Sequence, residues 1–143
     1  MVLLLNEADI AKLADPKMIL TDVETALKEY GDKETTMPSL YQMDVLGTPA
    51  TIRVMLAALP GMKASGLKIL TGTAGKRRID GTYFVVTLFD SDGSVLCLMS
   101  ANRLTQLRTG AASAVATKYL ARKDAEVLCI IGGAFRGLAK LKQ

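Results

Sequence analysis

The chain of 143 residues has no histidine and no tryptophan, and it has only two cysteines. Histidine is the commonest general base in enzymes, the commonest metal ligand and the usual partner of a serine or cysteine nucleophile. Its absence excludes a hydrolytic triad. Cys97 and Cys129 lie in apolar runs without the flanking pattern of a metal site or a redox motif. We therefore predict no metal site, and we expect both cysteines to lie in strands as small hydrophobic residues.

Long apolar runs are also absent, although half of the residues are hydrophobic. No run approaches the roughly 18 residues that a membrane-spanning helix requires. The short run Leu3-Leu4-Leu5 is followed at once by Glu7 and Asp9, and it has neither a basic leader nor a cleavage site of small residues. We therefore predict a cytoplasmic protein with no membrane partner.

The chain has little concentrated charge: its formal net charge is +4, and its basic residues are dispersed. Binding of a nucleic acid usually requires basic residues gathered on one face with aromatic residues between them. The chain has four tyrosines, three phenylalanines and no such cluster. We predict no nucleic-acid partner.

Capping residues, hydrophobic periodicity and turn residues predict an α+β fold with a mostly antiparallel sheet and flanking helices. Asn6 and Asp15-Pro16 are start signals for two helices, and Asp90-Ser91-Asp92-Gly93 is a hairpin turn. The predicted helices are 6–14, 15–31 and 102–121, the last capped by Asn102 and rich in small residues, and the predicted strands are 40–46, 51–58, 66–72, 82–89, 95–99 and 127–131.

The last predicted strand runs into the glycine-rich turn 132–137, and the sequence ends at Gln143. A strand followed by a glycine turn is how a dinucleotide-binding βαβ unit begins, and such a unit needs about 30 residues. We therefore predict two parts: a complete domain over 1–124, and the truncated start of a Rossmann domain over 125–143.

Two cations stand against the apolar pattern. Arg108 shares a helical stripe with Leu104, Ala111 and Val115, so it is expected among apolar neighbours, where it needs an acidic partner or an anionic ligand. Lys68 interrupts a core strand. Pairing with an internal carboxylate, or a stem that reaches the surface, would equally explain Arg108, and an edge strand would explain Lys68. If both converge on one pocket, they would bind a small carboxylate.

The segment Leu104-Thr105-Gln106-Leu107-Arg108-Thr109-Gly110-Ala111 closely resembles the central segment of the ornithine cyclodeaminase and mu-crystallin family. The resemblance extends to Met37-Pro38, Arg53-Val54-Met55, Gly66-Leu67-Lys68-Ile69 and Leu88-Phe89-Asp90. This family includes archaeal alanine dehydrogenases and ketimine reductases. The resemblance implies an α+β domain that binds substrate and forms a homodimer, followed by a Rossmann domain that binds NAD or NADP.

The resemblance also implies roles for particular residues. Lys68 and Arg108 fall on positions that bind the substrate's carboxylate, and Thr82 and Arg53 fall on further substrate-binding positions. Cofactor-binding positions fall on four residues: Thr109, Gly132, Gly133 and Ala134. The family's catalytic aspartate lies beyond Gln143, so no catalytic residue is assigned.

Several residues depart from the family pattern. The basic residue that follows Met-Pro is missing at Met37-Pro38-Ser39, Ser100 replaces an aspartate that often precedes the arginine helix, and Ala134 replaces the middle glycine of the phosphate-binding turn. We therefore expect relatives that act on amino or imino acids with NAD or NADP, and a chain that by itself binds no cofactor and is inactive. The alternatives are a noncatalytic oligomerisation or small-carboxylate-binding domain, and a gene remnant without a role.

Overall fold

A computed structural model describes residues 1–73 and 83–130. These residues form an α+β fold in which three helices accompany one six-stranded sheet of order β1-β6-β5-β4-β3-β2. In chain order the elements are β1 (Leu3–Leu5), α1 (Glu7–Leu13), α2 (Pro16–Gly31), β2 (Tyr41–Asp44), β3 (Ala50–Leu59), β4 (Ala64–Thr73), β5 (Tyr83–Phe89), β6 (Val95–Ser100) and α3 (Asn102–Leu120).

The first two helices begin where their capping residues predict. The Asn6 side chain accepts hydrogen bonds from the backbone N–H groups of Ala8 (2.8 Å) and Asp9 (3.1 Å), and the Asp9 carboxylate accepts one from Asn6 N (3.0 Å). Asp15 caps α2 by accepting from Lys17 N at 2.9 Å, and Pro16 occupies the first helical position. Both starts are thus fixed by contacts within three residues.

The sheet is mostly antiparallel, as predicted, and β5 lies in its interior between β4 and β6. The β5–β6 turn forms because the Asp90 side chain accepts from Asp92 N (2.9 Å) and Ser94 N (2.8 Å), while Gly93 adopts a φ of 81° that glycine tolerates. Strand β1 was not predicted. It pairs in parallel with β6 over Leu3–Leu5, a run too short to show a periodic pattern.

One alternative and one prediction about strands do not hold. Strand β4 lies between β3 and β5, so Lys68 does not protect a sheet edge. Residues 127–130 form no strand, and Cys129 is exposed, whereas Cys97 is buried in β6 as expected. A strand needs a neighbour for its backbone hydrogen bonds, and within the described residues no strand pairs with this segment.

The predicted cap of α3 is also wrong. Asn102 is the first residue of the helix, and its side chain accepts a hydrogen bond from Phe84 N at 3.1 Å instead of capping the helix. Ala101 occupies the N-cap position and provides no side-chain hydrogen bond. The start of α3 is therefore held to β5 by Asn102, and its backbone N–H groups need acceptors from elsewhere.

The two faces of the sheet differ in their surroundings. Cys97 and Met99 of β6 form a core with Ile10 of α1, and Val86 and Leu104 pack against it, so this face is covered by helices. Because side chains alternate along a strand, the neighbouring residues point to the other face, which we call the open face. Its exposed large apolar residues include Leu4, Tyr41, Met43, Tyr83 and Leu98. Helices cover none of these in the described part of the chain.

A buried carboxylate joins α2 to the turn between β3 and β4. Glu29 is only 7% exposed, and its Oε1 accepts a hydrogen bond from Gly61 N at 2.8 Å. A Cβ at position 61 would lie 3.0 Å from Glu29 Oε2, so a larger residue there would press against this carboxylate. This contact fixes the end of α2 against the sheet.

We expect Glu29→Ala to lower the free energy of unfolding by about 2 kcal/mol, because it removes the hydrogen bond that the largely buried Glu29 carboxylate accepts from Gly61 N. Urea denaturation measures the change. Glu34→Ala, at an exposed position just beyond α2, is the matched control and should change the free energy by less than about 0.5 kcal/mol. Equal effects of the two substitutions would show that the Glu29 contact contributes nothing specific.

Candidate functional site

A cavity of about 350 Å³ lies between the helix-covered face of the sheet and α3. Its lining contains two charged residues, Lys68 and Arg108, and two hydroxyl residues, Ser65 and Thr105. The rest of the lining is apolar, with side chains from β3, β4, β5 and α3 and with Met37 from the segment before β2. The size is that of a site for a small molecule.

Lys68 reaches the cavity from the middle of β4. It lies opposite Met55 of β3 and Val86 of β5, which also line the cavity, and it is half-buried. Its Nζ lies 5.9 Å from the centre of the Phe84 ring, a distance at which the ring face attracts a cation. Because both neighbouring strands are paired along their length, the position of Lys68 is set by the sheet.

Arg108 reaches the cavity from α3, and here one sequence expectation is wrong. The arginine is exposed, not buried among apolar neighbours. The buried stripe of α3 includes Leu107, Ala111 and Val115 at spacings of four, and Arg108 is turned from Leu107 by about 100° around the helix axis. Arg108 therefore lines the cavity from an exposed position on α3.

The structure thus brings two cations from separate elements to one cavity. Among the described lining residues none is acidic, so both charges that the described lining contributes are positive. An arginine can donate two parallel hydrogen bonds to a carboxylate, and a lysine adds a compact charge. The arrangement is chemically suited to a small anion with an apolar body.

The other predicted site residues lie outside this lining. Arg53 is on the same sheet face as Lys68, but its Nε donates to Gln42 Oε1 at 2.8 Å. Thr109 is half-buried in α3 and its hydroxyl donates to Thr105 O at 2.6 Å. Their roles in binding stay predictions. The remaining residues, Thr82, Gly132, Gly133 and Ala134, lie outside the described part of the chain.

The described residues can test a cofactor only at Thr109. Its hydroxyl hydrogen is used within the helix, so the oxygen can still accept a hydrogen bond but has no donor left for a phosphate. Metal binding is a separate matter: no three Cys, Asp or Glu side chains in the described ranges lie close enough together to hold a metal ion.

Sequence reasoning missed one residue that organises the start of α3. Glu7, the first residue of α1, accepts hydrogen bonds at Oε1 from Ser100 Oγ (2.6 Å) and Asn102 N (2.7 Å), and at Oε2 from Arg103 N (3.1 Å). Burial raises the pKa of Glu7, but these three hydrogen bonds and the nearby charge of Arg103 together lower it below its usual value. The carboxylate thus supplies acceptors that α3 lacks.

The fold and the cavity together define the class of this protein: an α+β protein with an apolar-walled cavity that contains two cations and lies between sheet and helix. Residues 1–140 match the ornithine cyclodeaminase/mu-crystallin family. The chain belongs to this family.

Three relatives illustrate the similarity. The chain is 34% identical over 137 residues to Delta(1)-pyrroline-2-carboxylate reductase of Bacillus cereus, an alignment that covers 92% of this chain and 41% of that protein. An archaeal alanine dehydrogenase dimer with bound NAD superposes with a TM-score of 0.88 at 28% identity, covering 99% of this chain and 44% of the other. The Thermococcus litoralis Delta(1)-pyrroline-2-carboxylate reductase, in complex with NADH and L-proline, superposes with a TM-score of 0.86 at 31% identity. This superposition covers 98% of this chain and 44% of the other.

The chain therefore spans about two-fifths of the length of the curated relatives that it matches. Among its described helices, none combines the length and hydropathy needed to cross a membrane.

Proposed function

We propose that residues 1–124 are the substrate-binding and dimerisation domain of an NAD- or NADP-dependent enzyme acting on a small amino or imino acid. The single observation that carries this proposal is the convergence of Lys68 and Arg108 on one cavity. In this proposal both cations bind the substrate's carboxylate, and its hydrocarbon part packs on the apolar wall. Names of relatives support the substrate class, since two are pyrroline-2-carboxylate reductases and one is an alanine dehydrogenase.

Arg53 and Thr82 are proposed as further substrate contacts, on the strength of the family resemblance alone. For Arg53 the geometry offers modest support, because it faces the same side of the sheet as Lys68 from the adjacent strand. Its bond to Gln42 would have to be exchanged for one to the ligand. Cofactor contacts from Thr109, Gly132, Gly133 and Ala134 are proposed on the same resemblance.

Dimerisation is proposed through the open face. Its exposed apolar residues extend from β2 across the sheet to β1, and Ile52, Val54, Ile69 and Val85 fill the space between them as half-buried side chains. Continuous apolar surface of this kind is typical of an interface. One structural relative is itself described as a dimer. The occupant we propose is a second copy of this chain, in the cytoplasm.

For the 143 residues by themselves we propose binding without turnover. The chain covers only 41% of the Bacillus cereus reductase and 44% of the archaeal alanine dehydrogenase, and the family resemblance assigns no catalytic residue to the part that it covers. A noncatalytic oligomerisation or carboxylate-binding domain remains the second candidate, and the open face is the observation that favours it. The two candidates differ in whether a cofactor-dependent reaction ever follows binding.

Calorimetric titration of the chain with L-alanine, L-proline and L-ornithine tests the proposal. Two charge-assisted hydrogen-bonded contacts predict a Kd of about 1 mM for at least one of them. L-alanine methyl ester, which lacks the anionic carboxylate, is the matched ligand control and should not bind. Equal binding of acid and ester, or no binding of any acid, would contradict the carboxylate site. NAD- or NADP-dependent turnover of these compounds by the chain would contradict the proposed inactivity.

A further inference from the structure

The carboxylate of Glu7 connects three elements at one point. It belongs to α1, it accepts from Ser100 at the end of β6, and it accepts from two backbone N–H groups at the start of α3. Helix α3 has no acidic residue in its first turn and no side-chain cap of its own. Among the described contacts, the negative charge that complements the N-terminal end of α3 therefore comes from another helix.

The contacts of Glu7 with the start of α3 lie close, along the chain, to a residue that lines the cavity. Arg108 follows Asn102 by six residues on α3, about 9 Å along the helix axis. Lys68 belongs to the sheet, and β6 belongs to the same sheet. Because Glu7 contacts both the end of β6 and the first N–H groups of α3, it braces the direction in which α3 leaves the sheet, and Arg108 lies on that helix.

We propose that Glu7 is a positioning residue for the carboxylate site: it holds the start of α3 so that Arg108 meets Lys68 across the cavity. The inference rests on the proposed function, since it explains how the two binding cations are placed. Glu7 does not touch the ligand, and it acts through Arg108.

Ser100 provides a way to test this role by relocating the charge. Its Oγ lies 2.6 Å from Glu7 Oε1, and it directly precedes Ala101, the N-cap residue of α3. An aspartate at position 100 would place a carboxylate beside the same N–H groups from within the local chain. If Glu7 acts by accepting these hydrogen bonds, Ser100→Asp should compensate for its loss.

The experiment compares three proteins: the wild type, Glu7→Gln, and the double variant that carries both Glu7→Gln and Ser100→Asp. Each is titrated with the best-binding acid at a temperature well below the Tm of every variant. Glu7→Gln should weaken binding about three- to tenfold, part of the contribution of one charge-assisted hydrogen bond. The double variant should recover most of the loss. Asp9→Asn, in the same first turn of α1 but bonded to Asn6, is the control and should change Kd by less than about twofold.

A merely structural role would lower Tm in Glu7→Gln and leave Kd unchanged, and that result would overturn the inference. So would a folded double variant without recovery. Absence of binding by wild type would instead contradict the proposed function. In that case the side-chain NMR signal of Arg108 and the amide exchange rates at 105–108 still test the positioning role of Glu7. Both should change in Glu7→Gln and return to the wild-type values in the double variant. Unchanged values in Glu7→Gln would refute the role.

Discussion

Arg108→Ala is expected to weaken binding of the carboxylate ligand at least about tenfold, the largest effect of any single substitution in the cavity. Arg108 lines the cavity, and its guanidinium can donate two hydrogen bonds to a carboxylate, whose loss removes about 1.5–3 kcal/mol of binding free energy. Calorimetric titration measures the change in Kd. Because Arg108 is exposed, its truncation should leave the fold stable.

Two further variants make this result specific. Lys68→Met keeps the apolar stem of the lysine and removes its charge, so it should also weaken binding about tenfold. Arg122→Ala removes an arginine that is outside the cavity lining and 82% exposed in its side chain, and it should have no effect on Kd. An unchanged Kd in Arg108→Ala would remove this arginine from the site, whatever the behaviour of Lys68.

Leu98→Arg is expected to weaken self-association at least about thirtyfold. Leu98 lies in β6 on the open face, pairs with Leu4 of β1, and is 41% exposed in the single chain. If a second copy covers this face, the substitution buries a charge in an apolar interface at a cost of at least about 2 kcal/mol. Sedimentation equilibrium of the purified chain measures the dissociation constant.

The matched control for this variant is Leu120→Arg. Leu120 is the last residue of α3 and is 83% exposed, but it lies outside the sheet. The same leucine-to-arginine change there should leave the dissociation constant within a factor of about two. Loss of the dimer in Leu120→Arg alone would move the interface from the open face to the helices, and a monomeric wild type would contradict the proposed homodimer.

The helices α1 and α2 could be predicted from sequence because their determinants are local. Asn6, Asp15 and Pro16 act within three residues of themselves, and the Asp90 turn closes over four. The start of α3 depends instead on Glu7, which is 95 residues away from Asn102 in the chain, and no local pattern indicates such a contact. Strand β1 was missed for a related reason, because its three residues become a strand only through pairing with β6.

The candidate site also combines features that local sequence predicts with features that depend on tertiary packing. Lys68 and Arg108 were singled out because each interrupts an apolar pattern, and that signal is local. Their convergence depends on how α3 lies on the sheet, which sequence periodicity does not determine. The expected burial of Arg108 was wrong although Ala111 and Val115 of the predicted stripe are buried, because the buried face of α3 continues through Leu107 and not through Arg108.

The central claim is that Lys68 and Arg108 jointly hold a carboxylate. A crystal structure of the chain grown with the best-binding acid tests it most directly. We expect ligand density inside the cavity, with the carboxylate oxygens within about 3.2 Å of both Lys68 Nζ and the Arg108 guanidinium. A ligand bound elsewhere, or one whose carboxylate faces away from both cations, would contradict the account.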